Sequence, residues 1–340
     1  MAQPTNRRRF IAQSLLGAAA GSAAAYSLEE NGLLAALEGK TNVSPEEKAE
    51  ATRTLMPRGK IGDVDVSRLI LGSNLIAGFA HSRDLLYVSQ LFKRYNTEER
   101  IFDTFALAEQ CGVNAILTNP VALDHVVKYN QQRKGKLKPI VYVRPYPDAK
   151  QTKEEVSTVV DKGASAITTH GNVTDQWVRR GELEPIGRAL DIIKQHGVPA
   201  GLGCHSLETP KASEKNSLGA EFYHKTFHID RYWSATPEDS RKEWCWYEPT
   251  TGGHDDYNDN MFCLNAEETA EFMAGVKKPW IAFKVLAAGA IHPRVGFSHA
   301  FRNGADIVCC GMFDFQVCED VKIAKSVLEK TKNRRRPWMA

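Results

Sequence analysis

The chain has 340 residues, 42% of them hydrophobic, and a net charge of +3. Its length suits one large α/β barrel better than two small domains. Much of the positive charge sits at the ends, in Arg7-Arg8-Arg9 and Arg334-Arg335-Arg336, so the body between is close to neutral and nothing argues for a nucleic-acid partner. No apolar run reaches the roughly 18 residues of a membrane span, and the seven cysteines show no CxxC pair or zinc-ribbon spacing.

Residues 1–27 carry Asn6-Arg7-Arg8-Arg9-Phe10-Ile11, then the mildly apolar LLGAAAGSAAA, with small residues at Ala23 and Ala25. That order is the pattern of a twin-arginine export signal cleaved near Ala25; an ordinary basic N-terminus beside a short helix is the alternative. The signal implies the twin-arginine export machinery as a partner and a periplasmic or extracellular location. Residues 28–58 read as a linker or surface arm, 59–334 as the folded domain and 335–340 as a basic tail.

GKIGDVDVS predicts a hairpin turning at Gly62-Asp63. Eight β-rich runs follow, at 68–74, 113–119, 139–145, 164–170, 198–205, 222–228, 280–289 and 305–312. Between them lie amphipathic stretches such as TEERIFDTFALAEQCG, with Thr97 as cap, Glu98 and Glu99 in the first turn and Gly112 as stop. Strands alternating with helices demand a parallel sheet, and eight of them with right-handed crossovers close as a (β/α)8 TIM barrel with an N-terminal capping hairpin. An open doubly wound sheet would want a glycine-rich dinucleotide turn, which LGSNLIAGF does not match.

After the sixth strand comes a long loop, roughly 230–265, which the barrel reading makes an active-site lid. It holds Trp233, Trp244 and Trp246, whose indoles either stack on the C–H face of a sugar or pack the loop onto the rim. Cys245 and Cys263 flank it and are a candidate disulfide in an oxidising compartment. Its HDDYNDN cluster lacks the spacing of an EF-hand and reads as a solvated acidic turn.

Three strands end on histidines: ASAITTH at His170, VPAGLGCH at His205 and FYHKTFH at His228. In a barrel these imidazoles meet at the C-terminal rim, on strands about 4.8 Å apart. They are candidate ligands of a divalent metal ion, with Asp230, Glu208 or Asp314 completing the shell; the alternative is that they are polar groups binding substrate hydroxyls. Lys284 on the seventh strand is a candidate proton-handling group, since a lysine desolvated inside a barrel loses pKa. Lys225 on the sixth fits better pointing outward. Asn119 and Arg144, at the exits of the second and third strands, are candidate substrate contacts. Gly289, Gly304 and Gly311 near the last two exits are a weak phosphate signal.

KIGDVDVSRLILGSN resembles the capping hairpin and first strand of the aldo-keto reductases. AEQCGVNAILT, IGRALDIIKQHGVPAGLGCHS, FKVLAAGAIHP and GADIVCCGMFDFQVCEDV are similar to later elements of that family. The resemblance covers most of 59–330 and implies a TIM barrel with NAD(P) as cofactor. It also implies an Asp and a Tyr after the second strand, a Lys on the third and a His ending the fourth. Only His170 falls in place: the second exit reads Leu117-Thr118-Asn119-Pro120, the third strand ends in Arg144, and Cys204-His205-Ser206 stands where an Asn would contact the nucleotide. The Lys225-Thr226 pair with Lys284 resembles deoxyribose-phosphate aldolases over two short patterns.

Three readings follow. The first is an exported, metal-assisted lyase, isomerase or epimerase acting on a sugar-like hydroxy-carbonyl. In it Lys284 and His170 are catalytic, Asn119, Arg144, Trp233 and Trp246 hold substrate, and His170, His205 and His228 hold the metal. The second is an NAD(P)-dependent oxidoreductase, and the third a carbohydrate-binding barrel without catalysis.

Overall fold

The computed structural model describes residues 43–79, 85, 87–241, 243 and 261–340. The expected export signal, residues 28–42 of the expected linker, Trp244, Cys245 and Trp246 lie outside the described residues. The unit that begins at Glu46 is the barrel and its covering elements.

A short helix, α1 (Pro45–Thr52), leads into an antiparallel hairpin of β1 (Arg58–Ile61) and β2 (Val64–Ser67). Gly62 takes φ +56° at its turn, a left-handed conformation that glycine adopts without a Cβ clash. Eight parallel strands then close on themselves: β3 (Leu69–Gly72), β4 (Ala115–Thr118), β5 (Lys138–Val143), β6 (Ala166–Thr169), β7 (Ala200–Cys204), β8 (Phe222–Thr226), β9 (Trp280–Phe283) and β10 (Ile307–Cys310), with β10 pairing back onto β3. All eight lie within the runs read from the sequence, give or take a residue.

The helices between are α2 (Asn74–Ala77), α3 (Val88–Tyr95), α4 (Glu98–Gln110), α5 (Pro120–Gln132), α6 (Ala149–Asp161), α7 (Gly171–Arg180), α8 (Glu184–Gln195), α9 (Glu208–Lys215), α10 (Ala266–Gly275), α11 (Pro293–Arg302) and α12 (Asp314–Lys330). Their ends follow local chemistry. Thr97 caps α4 by accepting from the Arg100 N–H, and Gly112 leaves that helix at φ +89°. Asn119 caps α5 through the Ala122 N–H at 2.7 Å, ahead of a proline at the first helical position.

The interior is filled by inward residues of successive strands: Ile70, Ala115 and Leu117, Ile140, Ala166, Phe222, Ile281, Ile307 and Cys309, floored by Ile61 and Val66 of the hairpin. Gly201 on β7 has no side chain to contribute, and the Phe222 ring takes its place; a Cβ at Gly201 would sit 2.3 Å from that ring. Period-two alternation fixes the next layer toward the C-terminal mouth. Two residues beyond Ile140, Ala166, Phe222 and Ile281 come Tyr142, Thr168, His224 and Phe283.

The last ten residues are not the free basic tail expected from 335–340. Arg336 is 3% exposed and ion-paired to the fully buried Asp306 of the β10 approach, and Ala340 packs against the barrel interior beside the hairpin. Arg68 and Arg334 lie over the Trp338 ring, at 3.9 and 3.2 Å from its centroid. The C-terminus closes the bottom of the barrel.

Candidate active site at the barrel mouth

The mouth is organised by a carboxylate that sequence reasoning missed. Asp175, one turn into α7, is completely buried. It accepts the backbone N–H of His205 at 2.7 Å and of Ser206 at 3.3 Å, the Thr209 hydroxyl at 2.6 Å, and contacts His205 Nδ1 at 3.0 Å. A carboxylate can only accept, so Nδ1 carries the proton and Nε2 the lone pair. The ring lies against the first turn of α7, where Gly171 leaves room: a Cβ there would stand 2.9 Å from His205 Cε1. Burial, first, and then the charges of Lys284, Lys225 and His170 hold His205 well below the usual histidine range. With the Asp175 charge shared among several donors, the contact orients a neutral imidazole rather than ionising it.

Beside this pair stand two more imidazoles. His170 caps α7, is held down to about 4 by burial and then by Arg144, and meets Tyr142 edge-on with ring centroids 5.0 Å apart. His224, inward on β8, lies 3.8 Å from the Phe283 ring centroid, and neither of its ring nitrogens has a hydrogen-bond partner. Burial pushes it well below the ordinary range, with His205, His170 and Lys284 adding. Lys284 is the one cation that depresses all three imidazoles, so it sits within electrostatic reach of each. Its ammonium rests 3.5 Å above the Phe262 ring centroid. Its backbone is left-handed at φ +54°, as are Ala287 at +44° and Ala288 at +55°, a conformation that costs a residue with a Cβ about 1 kcal/mol or more. Strain kept in the turn after β9 places that lysine.

The other expected residues divide. Asn119 spends its oxygen on the α5 cap, while its buried Nδ2 turns toward the Tyr142 hydroxyl without closing a full hydrogen bond. Arg144 is exposed at the β5 exit, near enough to His170 to depress it. Lys225 shares the outward face of β8 with Tyr223; its ammonium turns back onto the Thr226 carbonyl and hydroxyl at 2.9 and 3.1 Å. Trp233 is 81% exposed on the segment after β8. His228 is not at the mouth's disposal: Nδ1 donates to the Ile229 carbonyl at 2.7 Å, and Nε2 accepts the N–H groups of Phe262 and Cys263 at 3.0 and 3.1 Å.

That arrangement corrects the expected metal centre of His170, His205 and His228. His228 has no lone pair left to give, and the positive charge of Lys284 already acts against a further cation at the other two. Among the described residues no three His, Cys, Asp or Glu side chains gather as an ion site. The residues present do not fit a divalent metal.

Tyr142, Asp175 and His224 were the residues missed. Tyr142 could have been found by assigning the strand phase from Ile140, whereas the β8 run carries an aromatic and a basic residue in both phases and so hid His224. Asp175 had no local signal, because its partners lie 30 positions away.

No protein-family model and no curated protein sequence matches the chain. Among solved structures it is similar to a Pseudomonas aeruginosa protein whose assignment as an aldo-keto reductase is itself provisional, with TM-score 0.54 and 17% identity over 80% of this chain and 95% of that one. The likeness is one of fold. A mandelate oxidase variant with benzaldehyde shares 12% identity over 85% of this chain and 86% of its own, and a truncated 3-deoxy-D-arabino-heptulosonate 7-phosphate synthase of Thermotoga maritima 10% over 82% and 95%, each with TM-score 0.47. Among the described residues no helix is long and apolar enough to cross a membrane.

Proposed function

We propose that this chain is a barrel enzyme that moves a proton at the carbon beside a carbonyl in a small, sugar-like hydroxy-carbonyl compound, as an isomerase, epimerase or lyase. The observation that carries the reading is the buried Asp175–His205 pair at the C-terminal mouth, a neutral base with a fixed tautomer, placed beside the Lys284 ammonium. His205 Nε2 takes the proton from carbon; the electron pair flows onto the carbonyl oxygen, and the resulting enediolate is stabilised by Lys284. Returning the proton to the neighbouring carbon, while the hydroxyl proton passes to the former carbonyl oxygen, isomerises; protonation of the same carbon from the opposite face by a second acid or solvent epimerises; and expelling a leaving group from the next carbon completes a lyase. Tyr142 and Phe283 offer rings to C–H faces, and the unpartnered His224, Thr168 and Asn119 atoms suit hydroxyls, which both donate and accept.

The experiment is proton exchange. Incubated in D2O with a panel of aldoses, ketoses and their acids, the protein should place deuterium beside the carbonyl of at least one. His205→Gln should slow that exchange by about 10²–10⁴-fold, the usual worth of a general base. Exchange by the variant at the parent rate ends the reading. The twin-arginine signal belongs to the same proposal: protein recovered from the periplasm should begin just after Ala25, and recovery only in the cytoplasm with residue 1 retained argues against export.

Tyr142 beside His170 favours one second reading, reduction of the carbonyl, in which that phenol protonates the new alkoxide. Cys204-His205-Ser206 offers no amide side chain to a nicotinamide, so the β7 exit does not fit that cofactor and no step is routed through it. Hydride transfer from a reduced nicotinamide nucleotide, lost in Tyr142→Phe, is the result that would promote this reading.

A further inference from the structure

Outside the mouth, one cluster is built for chemistry that the barrel reaction does not use. Cys111 ends α4 and Cys318 lies on α12, with sulfurs 3.8 Å apart and both side chains buried. Among the described cysteines no other pair has its sulfurs in contact. The two belong to the first and last βα segments of the barrel, 207 positions apart, at the seam where β10 pairs with β3. We propose that Cys111 and Cys318 are a modification site that closes to a structural disulfide when the chain meets an oxidant of the disulfide class.

The sulfurs, 3.8 Å apart and in contact, have to close to the bonding distance of about 2.05 Å. The two thiols are unequal. Cys111 is lowered below the usual thiol range, first by the hydrogen bond from Cys318 and then by the Lys325 and Lys48 ammonium groups, against the effect of burial; Cys318 is pushed up. The ammonium groups of Lys325 and Lys48 favour the thiolate at Cys111, which we take as the attacking sulfur. It displaces one sulfur of the oxidant as a thiolate and forms a mixed disulfide. Cys318 then loses its proton to solvent and attacks the Cys111 sulfur, releasing the second thiol. Two protein thiols and one disulfide become one protein disulfide and two thiols, and two electrons pass to the oxidant. The way in is the cover over the pair. It is α1, an eight-residue helix with one buried residue, Ala51, tied down by the Lys325 ammonium to the carbonyls of Ala51 and Thr54. A helix so short and so lightly buried opens locally at low cost.

The test uses the full chain and does not depend on the enzyme's reaction. Reduced protein is incubated with oxidised glutathione, denatured with iodoacetamide present, digested and weighed. The expected result is a cross-linked pair of peptides carrying Cys111 and Cys318, lighter by two hydrogens than the separate thiols and free of alkyl label. In Cys318→Ser, which removes the resolving thiol, Cys111 should instead keep one glutathionyl group, while in Cys111→Ser residue 318 should stay an alkylated thiol. Recovery of both wild-type cysteines as alkylated thiols overturns the proposal. So does a wild-type protein that carries glutathione on either cysteine without forming the cross-link.

Discussion

His205 and His224 show how neighbours decide what a buried imidazole can do. Asp175 fixes the tautomer of the first, whereas among the described residues no group hydrogen-bonds the second. Asp175→Asn keeps the shape but lets an amide nitrogen face the ring, so that His205 is free to present the wrong tautomer. Exchange should fall by a factor approaching that of His205→Gln, while a denaturant titration shows a loss of about 1–3 kcal/mol for the donors left badly paired. If exchange survives while stability drops, Asp175 is structural only. The same burial makes the protein acid-sensitive. His170, His228 and His299 are each held down to about 4 by burial, against 6.5 for an unhindered imidazole. Between those values the unfolded chain binds protons that the folded one refuses, so stability is complete above the unfolded value and falls as pH drops toward the folded one. The slope is up to about 1.4 kcal/mol per pH unit for each imidazole. Denaturation midpoints measured from pH 7 to pH 4 should fall accordingly; a flat profile would mean that these rings are protonated in the folded state.

At the level of the element, Asn119 belongs to a helix and to the site at once. Its oxygen caps α5, and its amide nitrogen faces the mouth beside the Tyr142 hydroxyl. Asn119→Ala should cost about 1 kcal/mol of stability as a lost cap. Asn119→Asp restores the cap but not the donor, so it should recover stability while leaving the Michaelis constant raised; recovery of both would remove Asn119 from the substrate contacts. The same division between local and distant partners sets what the sequence alone reveals. The strands, their order and the hairpin were legible because each run of apolar residues ends in turn chemistry, as at Thr97 and Gly112 around α4. The mouth was legible only in part. In FYHKTFH both phases of the strand carry an aromatic and a basic residue, so periodicity alone could not show that Phe222 and His224 face inward while Tyr223 and Lys225 face the helices. His228 looked equivalent to His170 and His205 because each ends a strand. What separates it is the N–H groups of Phe262 and Cys263, which arrive from the far side of the long loop.

Over the whole molecule the two ends of the barrel do opposite work. The C-terminal mouth keeps polar atoms unpaired and a strained turn at Lys284; at the N-terminal end most polar groups meet around Asp306, although the terminal nitrogens of Arg334 make no hydrogen bond and rest over Trp338 instead. There Asp306, fully buried, accepts the Trp280 N–H at 2.9 Å and the Met339 N–H at 2.8 Å, pairs with Arg336 and holds Arg334 at 3.6 Å. Arg336 in turn reaches the carbonyls of Gly304, Met273, Val276 and Lys278, so one guanidinium ties together the chain around α10, β9 and β10. Removing the guanidinium strands a buried carboxylate and several carbonyls, the case in which breaking a buried pair costs about 3–5 kcal/mol. Arg336→Met should therefore lower the unfolding free energy by that order. Arg335→Met, whose partner Glu267 is exposed, should change it by less than about 1 kcal/mol. Because the tail lies at the opposite end from His205, proton exchange per folded molecule should be unaltered in both variants below their melting range. A fall in exchange without unfolding would mean that the bottom of the barrel shapes the mouth, and the division of labour between the two ends would have to be given up.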